Sequence, residues 1–429
     1  MKKLLIIFTA LLPFHALMIN FLKCKIGVGE NIMNIARFWK EFIIIGLTIG
    51  VLFNLYKRYK LNLNKALKNN YLVGTTLTFI IISFAYIFLP YFDVNLANIL
   101  GFKYDVFFLL ALIAGLYLVS ARENFNLLLK TVFFSIALMI VIFLPIYLSG
   151  HIEIMTTLFG YSSEVSTYKA NACTAFAQNV NGHARFQGTL GGPIRFSVFL
   201  TVFFFVYLGY ILDYLKNKKS AINYSLYIGL PTLVYLVSIF YAYTKTSLLG
   251  FLLGAILFVL IAFRDKLKQI PKKIYLGGGA LFIGALGSLV WIKRDLFLHI
   301  GSTLNRVENL EHSFHMWRYN PVGYGLGIAG PASVVEQRFW PENWFIQILL
   351  EQSFVGLAFF IGVLSIIGVY LWRIIKKRKD YLSVGIFVAF ISLLIMANLT
   401  HAFEEAATSY TLFLLIGAFI ARNLKFSKY

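Results

Sequence analysis

The second half of the chain is interrupted by two polar sequences, RVENLEHSFHMWRYNPVGYGLGIAG at residues 306–330 and PENWFIQILLEQSFVGL at residues 341–357. Arginine, histidine, glutamate and tryptophan side chains and a Gly-x-Gly turn stand here between long hydrophobic segments. A connection that only joined two helices would not need this chemistry. We therefore expect this stretch to form part of a functional site that the rest of the chain positions.

The rest of the chain is strongly apolar. Of its 429 residues 59% are hydrophobic, and the mean hydropathy is +0.76. A soluble core cannot hide that much apolar surface. Apolar runs of about 20 residues recur along the chain, which is the length a helix needs to cross a hydrocarbon layer of roughly 30 Å. The sequence predicts an all-α polytopic membrane protein, with residues 1–429 forming a single integral membrane domain.

The hydrophobic runs predict about twelve transmembrane helices. They cover about 4–22, 42–56, 71–89, 104–120, 127–149, 193–214, 222–243, 247–263, 274–292, 354–372, 383–399 and 409–421. The first run lacks a small-x-small cleavage site, so we interpret it as an uncleaved span. Residues 343–352 predict a further helix that enters the membrane just before the tenth span.

The charges predict the orientation of these spans. Most of the 39 lysines and arginines fall on alternate connections that contain few acids, whereas bases and acids balance on the other connections. By the positive-inside rule both termini are cytoplasmic, and the long loops at about 150–193 and 293–341 are extracytoplasmic. The net charge of +21 therefore indicates membrane orientation, and nucleic acid is not an expected partner.

Motifs for cofactors are missing from the sequence. It contains no GxxxxGK[ST], CxxC or HExxH pattern, so we expect no nucleotide, no other cofactor and no metal. His312 and His315 would share a helical face, but no third ligand accompanies them. Cys24 and Cys173 both fall on the predicted outer side, where they form either one disulfide or two free thiols.

Cations on the predicted outer side are candidates for binding phosphate. Arg185 precedes a Gly/Pro-rich turn in ARFQGTLGGPIRF, and a guanidinium can bind phosphate through two hydrogen bonds. Arg195, ten residues later, is better interpreted as an interfacial charge. Lys245 is the only charge of a short outer turn, where it either contacts a phosphate or simply ends a helix.

Four stretches resemble the O-antigen ligase and polymerase superfamily of bacterial envelope proteins, and together they span most of the chain. They are WKEFIII at 39–45, RFQGTLGGP at 185–193, Arg306 followed by Asn320-Pro321 and GYGLG at 323–327, and ENWFIQILLEQSFVGL at 342–357.

Three positions depart from the pattern of that family. Glu342 stands where the family's ligases carry a histidine, and Gln352-Ser353 stands near the family's glycine. The Ser-Arg pair near the eighth span is absent, and Lys245 is the nearest base. The missing histidine favours a polymerase over a ligase.

The resemblance implies a glycosyl transfer at the outer face of the bacterial cytoplasmic membrane. The donor would be a saccharide on undecaprenyl diphosphate, and the acceptor would be a sugar hydroxyl on another lipid-linked unit. The enzyme would thus polymerise repeat units of an O-antigen, capsule or exopolysaccharide. Further expected partners are membrane lipid and a chain-length regulator or other polysaccharide-assembly proteins.

The resemblance also assigns roles to residues of the outer loops. Arg185 and Arg306 would stabilise the departing diphosphate, with Lys245 as a third cation. Glu342 would be the general base, or alternatively a carboxylate that stabilises a helix N-terminus. The other predicted substrate-binding residues are Arg318, Tyr324 and Trp344, although tyrosine and tryptophan are also common at membrane interfaces.

Two other functions remain alternatives. A ligase of the same superfamily would move a finished glycan from undecaprenyl diphosphate to another acceptor. A polysaccharide flippase or transporter with twelve spans belongs to a different class. It predicts charges inside the spans and internal repeats, and the sequence contains no persuasive repeat.

Overall fold

The computed structural model describes residues 2–59, 71–89, 94–119, 122–162, 173–180, 183–216, 225–267, 300–336 and 339–424, with isolated positions at 269, 284, 287 and 288. Helices dominate these residues. They are α1 (Lys2–Leu11), α2 (His15–Asn20), α3 (Glu30–Tyr59), α4 (Tyr71–Ala85), α5 (Leu96–Leu118), α6 (Arg122–Ser149), α7 (Ile152–Phe159), α8 (Pro193–Leu215), α9 (Leu230–Tyr241), α10 (Lys245–Ala262), α11 (Arg264–Leu267), α12 (Ile300–Tyr319), α13 (Trp344–Arg378), α14 (Tyr381–Ala397) and α15 (Ala406–Leu424).

The predicted all-α membrane architecture is confirmed. Among the described residues, seven helices are long and apolar enough to cross a membrane, and α4, α14 and the segment Leu226–Tyr241 are shorter apolar helices. The predicted span 42–56 lies within α3. The predicted span 274–292 falls almost entirely outside the described residues. The helical bundle therefore follows the hydrophobic runs of the sequence.

Several helices begin earlier than the hydrophobic runs predict. Helix α5 starts at Leu96 rather than near 104, because Asn95 and Asn98 form a reciprocal capping box at its N-terminus. Helix α3 starts at Glu30 rather than near 42. Hydropathy misses these starts because charged residues interrupt the apolar run, Lys103 and Asp105 in α5 and Arg37, Lys40 and Glu41 in α3.

Close helix pairs form the centre of the bundle. A β-carbon on Gly115 of α5 would overlap the backbone of α15 at Leu414, and one on Gly417 of α15 would overlap α5 at Leu112. Small residues at such crossings let helix backbones approach closely inside a membrane. These contacts hold α15, whose side chains are almost all buried, at the core of the bundle.

The two predicted outer loops contain regular structure of their own. The first includes α7 and an antiparallel hairpin of β1 (Ala177–Val180) and β2 (His183–Phe186), in which Gln178 pairs with Arg185. The second includes α12. The hairpin fixes the backbone that carries Arg185 just before α8 begins.

A disulfide ties the first outer loop to the first hydrophobic segment. Cys24 and Cys173 are bonded, with Cα atoms 5.8 Å apart. Beside them, the Asn20 side chain accepts a hydrogen bond from the Thr174 amide at 2.9 Å and donates one to the Phe159 carbonyl at 3.0 Å. The sequence left the state of the two cysteines open, and the structure shows the bonded one.

Candidate functional site

An ion pair joins α12 to the segment that precedes α13. The Arg306 Nε donates to the Glu342 Oε2 at 2.7 Å, and the two side chains are 29% and 41% exposed. Both groups are therefore reached by solvent while they hold each other. The sequence assigned both residues to the catalytic site, and the structure brings them together.

The backbone around Glu342 turns its carboxylate away from the helix end. Glu342 has a φ of +50°, which is uncommon for a residue with a side chain. The next residue, Asn343, caps α13 by accepting hydrogen bonds from the amides of Phe345 and Ile346 at 2.9 and 3.1 Å. Asn343, rather than Glu342, thus provides the side-chain cap, and Glu342 is left for Arg306.

Two further cations lie beside this pair. Lys245, the first residue of α10, is close enough to Arg306 for the two positive charges to repel each other. The Arg185 Nε donates to the carbonyl of Ala242 at 3.0 Å, in the turn that leads to Lys245. Lys245 thus lies near Arg306, and Arg185 contacts the turn before Lys245. We call Arg185, Lys245, Arg306 and Glu342 the outer site.

Tyrosines support the hairpin side of the outer site. The Tyr147 hydroxyl donates to the carbonyl of Ala184 at 2.6 Å, and its ring packs on that of Tyr241. Tyr243, in the turn before Lys245, has a φ of +45°. Burial raises the pKa of Tyr243, and the nearby Tyr241 adds to the effect, so its hydroxyl stays neutral at physiological pH.

The glycine-rich segment after α12, residues 320–330, forms what we call the glycine loop. Gly323, Gly325 and Gly327 have φ values of +100°, +85° and +81°, a region that residues with side chains rarely adopt. The amides of Gly327 and Ala329 donate to the Glu351 Oε1 at 2.9 and 3.2 Å. The backbone of the glycine loop thus wraps a carboxylate of the protein itself.

Helix α13 breaks immediately after Glu351. Gln352 has φ −123° and ψ 16°, and Ser353 has φ 59° and ψ −173°, so two helical halves meet at a kink. The sequence predicts these two halves as a helix over 343–352 and a span from 354. Ser353 occupies the position near the family's glycine, and its positive φ explains why glycine suits that position.

A polar network that the sequence analysis missed lies beside the kink. The Gln352 Nε2 donates to Asp105 of α5 at 2.8 Å, and the Gln347 Nε2 donates to the other Asp105 oxygen at 3.3 Å. Ser83 donates to the Gln352 Oε1 at 2.8 Å. Asp105 and Glu351 are fully buried, with their carboxyl groups adjacent. The sequence offered one signal for this network, since Asp105 and Glu351 are acidic residues within apolar runs. Such residues are functional candidates by default.

The remaining predicted substrate-binding residues occupy different environments. Arg318 is exposed on the last turn of α12. Tyr324 is partly buried, and its hydroxyl donates to the carbonyl of Met316 at 2.8 Å. Trp344 is fully buried, and its ring packs against Phe403 and His401 rather than facing the outer solvent.

A second charged cluster lies among α3, α5 and α8. Glu41 lies 3.4 Å from Lys40 and 3.5 Å from Lys103 in two buried ion pairs. Arg195 pairs with Glu404, in the turn before α15. The sequence interpreted Arg195 as an interfacial charge. The partners were not evident from the sequence, because they come from distant elements.

The two neighbouring histidines of α12 contact aromatic rings. His312 packs on Phe339, with ring centroids 5.0 Å apart, and His315 packs on Tyr319 at 4.8 Å. Within the described ranges, no group of three or more histidine, cysteine, aspartate or glutamate side chains is arranged to hold a metal ion.

Comparison with known proteins identifies similar sequences. Residues 230–361 match the sequence model of a family described as O-antigen ligase. This region runs from α9 into α13 and includes Lys245, Arg306 and Glu342. The teichuronic acid biosynthesis protein TuaE of Bacillus subtilis (strain 168) is 26% identical over 228 residues, which cover 47% of this chain and 44% of that protein. The chain thus matches less than half the length of this relative.

The two matches confirm the resemblance to the O-antigen ligase and polymerase superfamily that the sequence motifs indicated. Together with the apolar helices, they indicate a multi-pass membrane protein that is similar to members of this superfamily.

Proposed function

We propose, from this family resemblance and the geometry of the outer site, that the protein is a glycosyltransferase that polymerises lipid-linked oligosaccharide units. The observation that carries the proposal is the Arg306–Glu342 pair, with Lys245 near Arg306 and Arg185 bonded to the turn before Lys245. These cations come from three separate elements, and their charge exceeds that of the carboxylate. Such a site is complementary to an anion with several negative charges.

A lipid diphosphate supplies the anion in this proposal. The acceptor hydroxyl attacks the anomeric carbon of the donor sugar, the bond from that carbon to the diphosphate oxygen breaks, and undecaprenyl diphosphate leaves. Fixed cations stabilise the charge that develops on the leaving group. Losing one group of this kind commonly costs about 3 kcal/mol of transition-state stabilisation. The donor already stores the energy of the new bond, so no nucleotide is required.

Glu342 receives the proton of the acceptor hydroxyl. Its carboxylate is partly exposed and is oriented by Arg306 at 2.7 Å. A general base must lie within hydrogen-bonding reach of the hydroxyl, and one oxygen of Glu342 can do this while the other holds Arg306. The guanidinium has five N–H donors, so Arg306 can contact both the carboxylate and a phosphate oxygen.

The outer site faces the extracytoplasmic side of the cytoplasmic membrane in this proposal, and both termini are cytoplasmic. Two observations support the orientation. Bases concentrate on the opposite connections, and Cys24 and Cys173, on the same side as the outer site, form a disulfide. Disulfides persist in oxidising environments and are rare in the cytosol.

The expected product is a polysaccharide of the bacterial envelope. The relative from Bacillus is named for teichuronic acid biosynthesis, and this chain would act at a comparable assembly step. The partners are the donor and acceptor saccharides, membrane lipid, and a chain-length regulator or other assembly proteins. The function needs no cofactor.

The test is a gel of lipid-linked and surface glycans from cells with and without the gene. A polymerase predicts that deletion collapses a ladder of chain lengths to single repeat units. Accumulation of long lipid-linked polymer that never reaches its final acceptor would identify a ligase instead. Single units confined to the cytoplasmic leaflet would identify a flippase and would reject the proposed outer site.

A further inference from the structure

We infer that Glu351 is a positioning residue that holds the glycine loop, and through it the helix that carries Arg306, in the geometry of the outer site. Glu351 is not part of the outer site and would not touch substrate. The effect of Glu351 on catalysis rests on the proposed function. The contact between Glu351 and the glycine loop is independent of that function.

The carboxylate of Glu351 is the internal partner of the glycine loop. Its Oε1 accepts from the amides of Gly327 and Ala329, and all three residues are buried. Gly327 has a φ of +81°, and a β-carbon there would overlap the Ala97 carbonyl of α5. The loop therefore fits between α5 and Glu351 only with glycine at this position.

Backbone hydrogen bonds also attach the glycine loop to α13. The Tyr324 amide donates to the Leu350 carbonyl at 2.8 Å, and the Gly325 amide donates to the Glu351 carbonyl at 3.1 Å. Both carbonyls lie at the end of the first half of α13, where the kink at Gln352 and Ser353 leaves helical carbonyls available. The glycine loop thus binds both the side chain and the backbone of this helix end.

The glycine loop is in turn joined to α12. Tyr324 donates its hydroxyl to the Met316 carbonyl at 2.8 Å, and the Asn320 side chain donates to the Gly323 carbonyl at 2.9 Å. Met316 and Trp317 pack against the apolar cluster of Ala329, Ile346 and Leu350. The C-terminal end of α12 cannot shift without moving the loop that Glu351 holds.

The first half of α13 therefore contacts the α12 segment at both of its ends. Glu342, just before its N-terminus, holds Arg306, and Glu351, at its C-terminus, holds the glycine loop. The two glutamates are separated by roughly 13 Å of helix. If the Glu351 carboxylate is lost, the glycine loop keeps its backbone bonds to Leu350 and Glu351 but loses its side-chain contact, so α12, which carries Arg306, is held less firmly at this end.

The proposal also accounts for the burial of Glu351. Its carboxyl group is adjacent to that of Asp105, which accepts from Gln347 and Gln352. A glutamine at position 351 can accept the same two amide hydrogen bonds and can donate its own N–H to Asp105. An alanine can do neither and also empties the space, whereas a methionine fills a similar volume without the two carboxylate oxygens. Glu351→Gln therefore tests the charge, and Glu351→Met separates the hydrogen-bonding role from occupancy of space.

Hydrogen–deuterium exchange on the purified full chain in detergent tests the attachment directly. We expect peptides that cover residues 320–330 to exchange about tenfold faster or more in Glu351→Ala, and to keep slow exchange in Glu351→Gln. Glu311→Ala, at an exposed glutamate of α12, is the matched control and should exchange like the wild type. Slow exchange in Glu351→Ala, or fast exchange in Glu351→Gln, would overturn the proposal.

The glycan ladder of cells that express each variant gives the second measurement. A small displacement of a positioning group can reduce turnover on the order of a hundredfold, so Glu351→Ala should lose the long chains and Glu351→Gln should retain them. If Glu351→Ala does not accumulate, Glu351→Met, which fills the space but lacks the carboxylate oxygens that accept from Gly327 and Ala329, should give the same two results. Normal exchange and a normal ladder in that variant would reject the inference.

The two measurements also separate this inference from the proposed function. If the exchange results are as expected but gene deletion leaves the cell's glycans unchanged, the attachment stands and the proposed function fails. If deletion removes the ladder but Glu351→Ala keeps slow exchange and normal chains, the function stands and the role of Glu351 is rejected.

Discussion

Arg306 on α12 donates to Glu342 ahead of α13 at 2.7 Å, and this contact is the centre of the outer site. Both side chains are partly exposed. Ion pairs that solvent reaches contribute little to stability, typically about 0–1 kcal/mol. The pair is therefore better explained by the chemistry of the site than by the folding of the protein, and this distinction can be tested.

Replacement of Arg306 should abolish polymerisation without unfolding the protein. We expect Arg306→Ala to reduce product by about a hundredfold to a thousandfold, because a fixed charge on the leaving diphosphate is lost. The measurement is the glycan ladder normalised to the amount of protein in the membrane. Arg37→Ala, at an exposed arginine of α3 that pairs with Glu30, is the control. Normal chain lengths in Arg306→Ala would exclude the residue from the site.

Arg185 should respond differently to lysine and alanine. Its Nε donates to the carbonyl of Ala242 at 3.0 Å, which orients the guanidinium beside the outer turn. Arg185→Lys keeps the charge but loses the planar fork, so it should retain only part of the activity, and Arg185→Ala should retain almost none. Equal activity of wild type and Arg185→Ala, at equal protein levels, would contradict this role.

Position 353 should prefer glycine to alanine. Ser353 has a φ of 59° and a ψ of −173°, a conformation that strains a residue with a side chain. Ser353→Ala keeps the strain and loses the hydrogen bonds that the Ser353 Oγ accepts from the Val355 amide and the Tyr86 hydroxyl. Ser353→Gly loses the same bonds but removes the strain. We expect the glycine variant to be more stable than the alanine variant by about 1–2 kcal/mol.

Thermal unfolding in detergent measures that difference. Ser238, in regular helix α9, provides the control because its Oγ bonds only to the preceding turn at Val234 among the described contacts. At position 238 the alanine variant should be more stable than the glycine variant, since alanine is favoured over glycine inside a helix by about 1 kcal/mol. If alanine is preferred at both positions, the strain assigned to Ser353 is absent.

Acid should destabilise the protein through His401. Burial lowers the pKa of His401 to about 3, whereas an unfolded histidine titrates near 6.5. Below pH 6.5 the unfolded state binds a proton that the folded state does not, so stability falls as the pH falls toward 3. At pH 5 the loss is about 2 kcal/mol. His401→Gln should therefore lose less stability between pH 7.5 and pH 5 than the wild type.

The acid test needs a control for the other titrating groups. Burial raises the pKa of Glu405, an effect of opposite sign that is common to the wild type and the variant. Parallel pH profiles for the wild type and His401→Gln would show that His401 is protonated freely in the folded state.

The disulfide provides a test of orientation in intact cells. A thiol reagent that does not cross membranes should label neither Cys24 nor Cys173 while the disulfide is intact. After a reductant that also does not cross membranes is added, the reagent should label both. Labelling without the reductant would contradict the bond. Protection of both thiols after reduction, with labelling only once the cells are opened, would reverse the proposed topology.

The sequence predicted the helical bundle because apolar runs and loop charges depend on local composition. It also predicted the two halves of α13, and the family resemblance assigned Arg306 and Glu342 to one site, although not their contact. It did not predict the contact between Glu351 and Gly327 or the network around Asp105. These contacts depend on how α5, α12 and α13 are arranged in space, which local periodicity does not encode.

The aromatic residues also show that local sequence does not reveal contacts between distant elements. Trp344 was predicted to bind substrate, with a position at the membrane interface as the alternative, and its ring is fully buried against Phe403. The buried face of the first half of α13 depends on the segment that packs against it, which is the turn before α15. The residue type indicated an aromatic contact and could not indicate the partner.

The most direct test is a reconstituted reaction of the purified full-length protein with an undecaprenyl-diphosphate-linked repeat unit. The account predicts a ladder of longer chains without added nucleotide, one undecaprenyl diphosphate released for each bond formed, and no ladder from Arg306→Ala. If the wild type leaves the units single, or if Arg306→Ala gives the same ladder, the proposed polymerase and its outer site are contradicted.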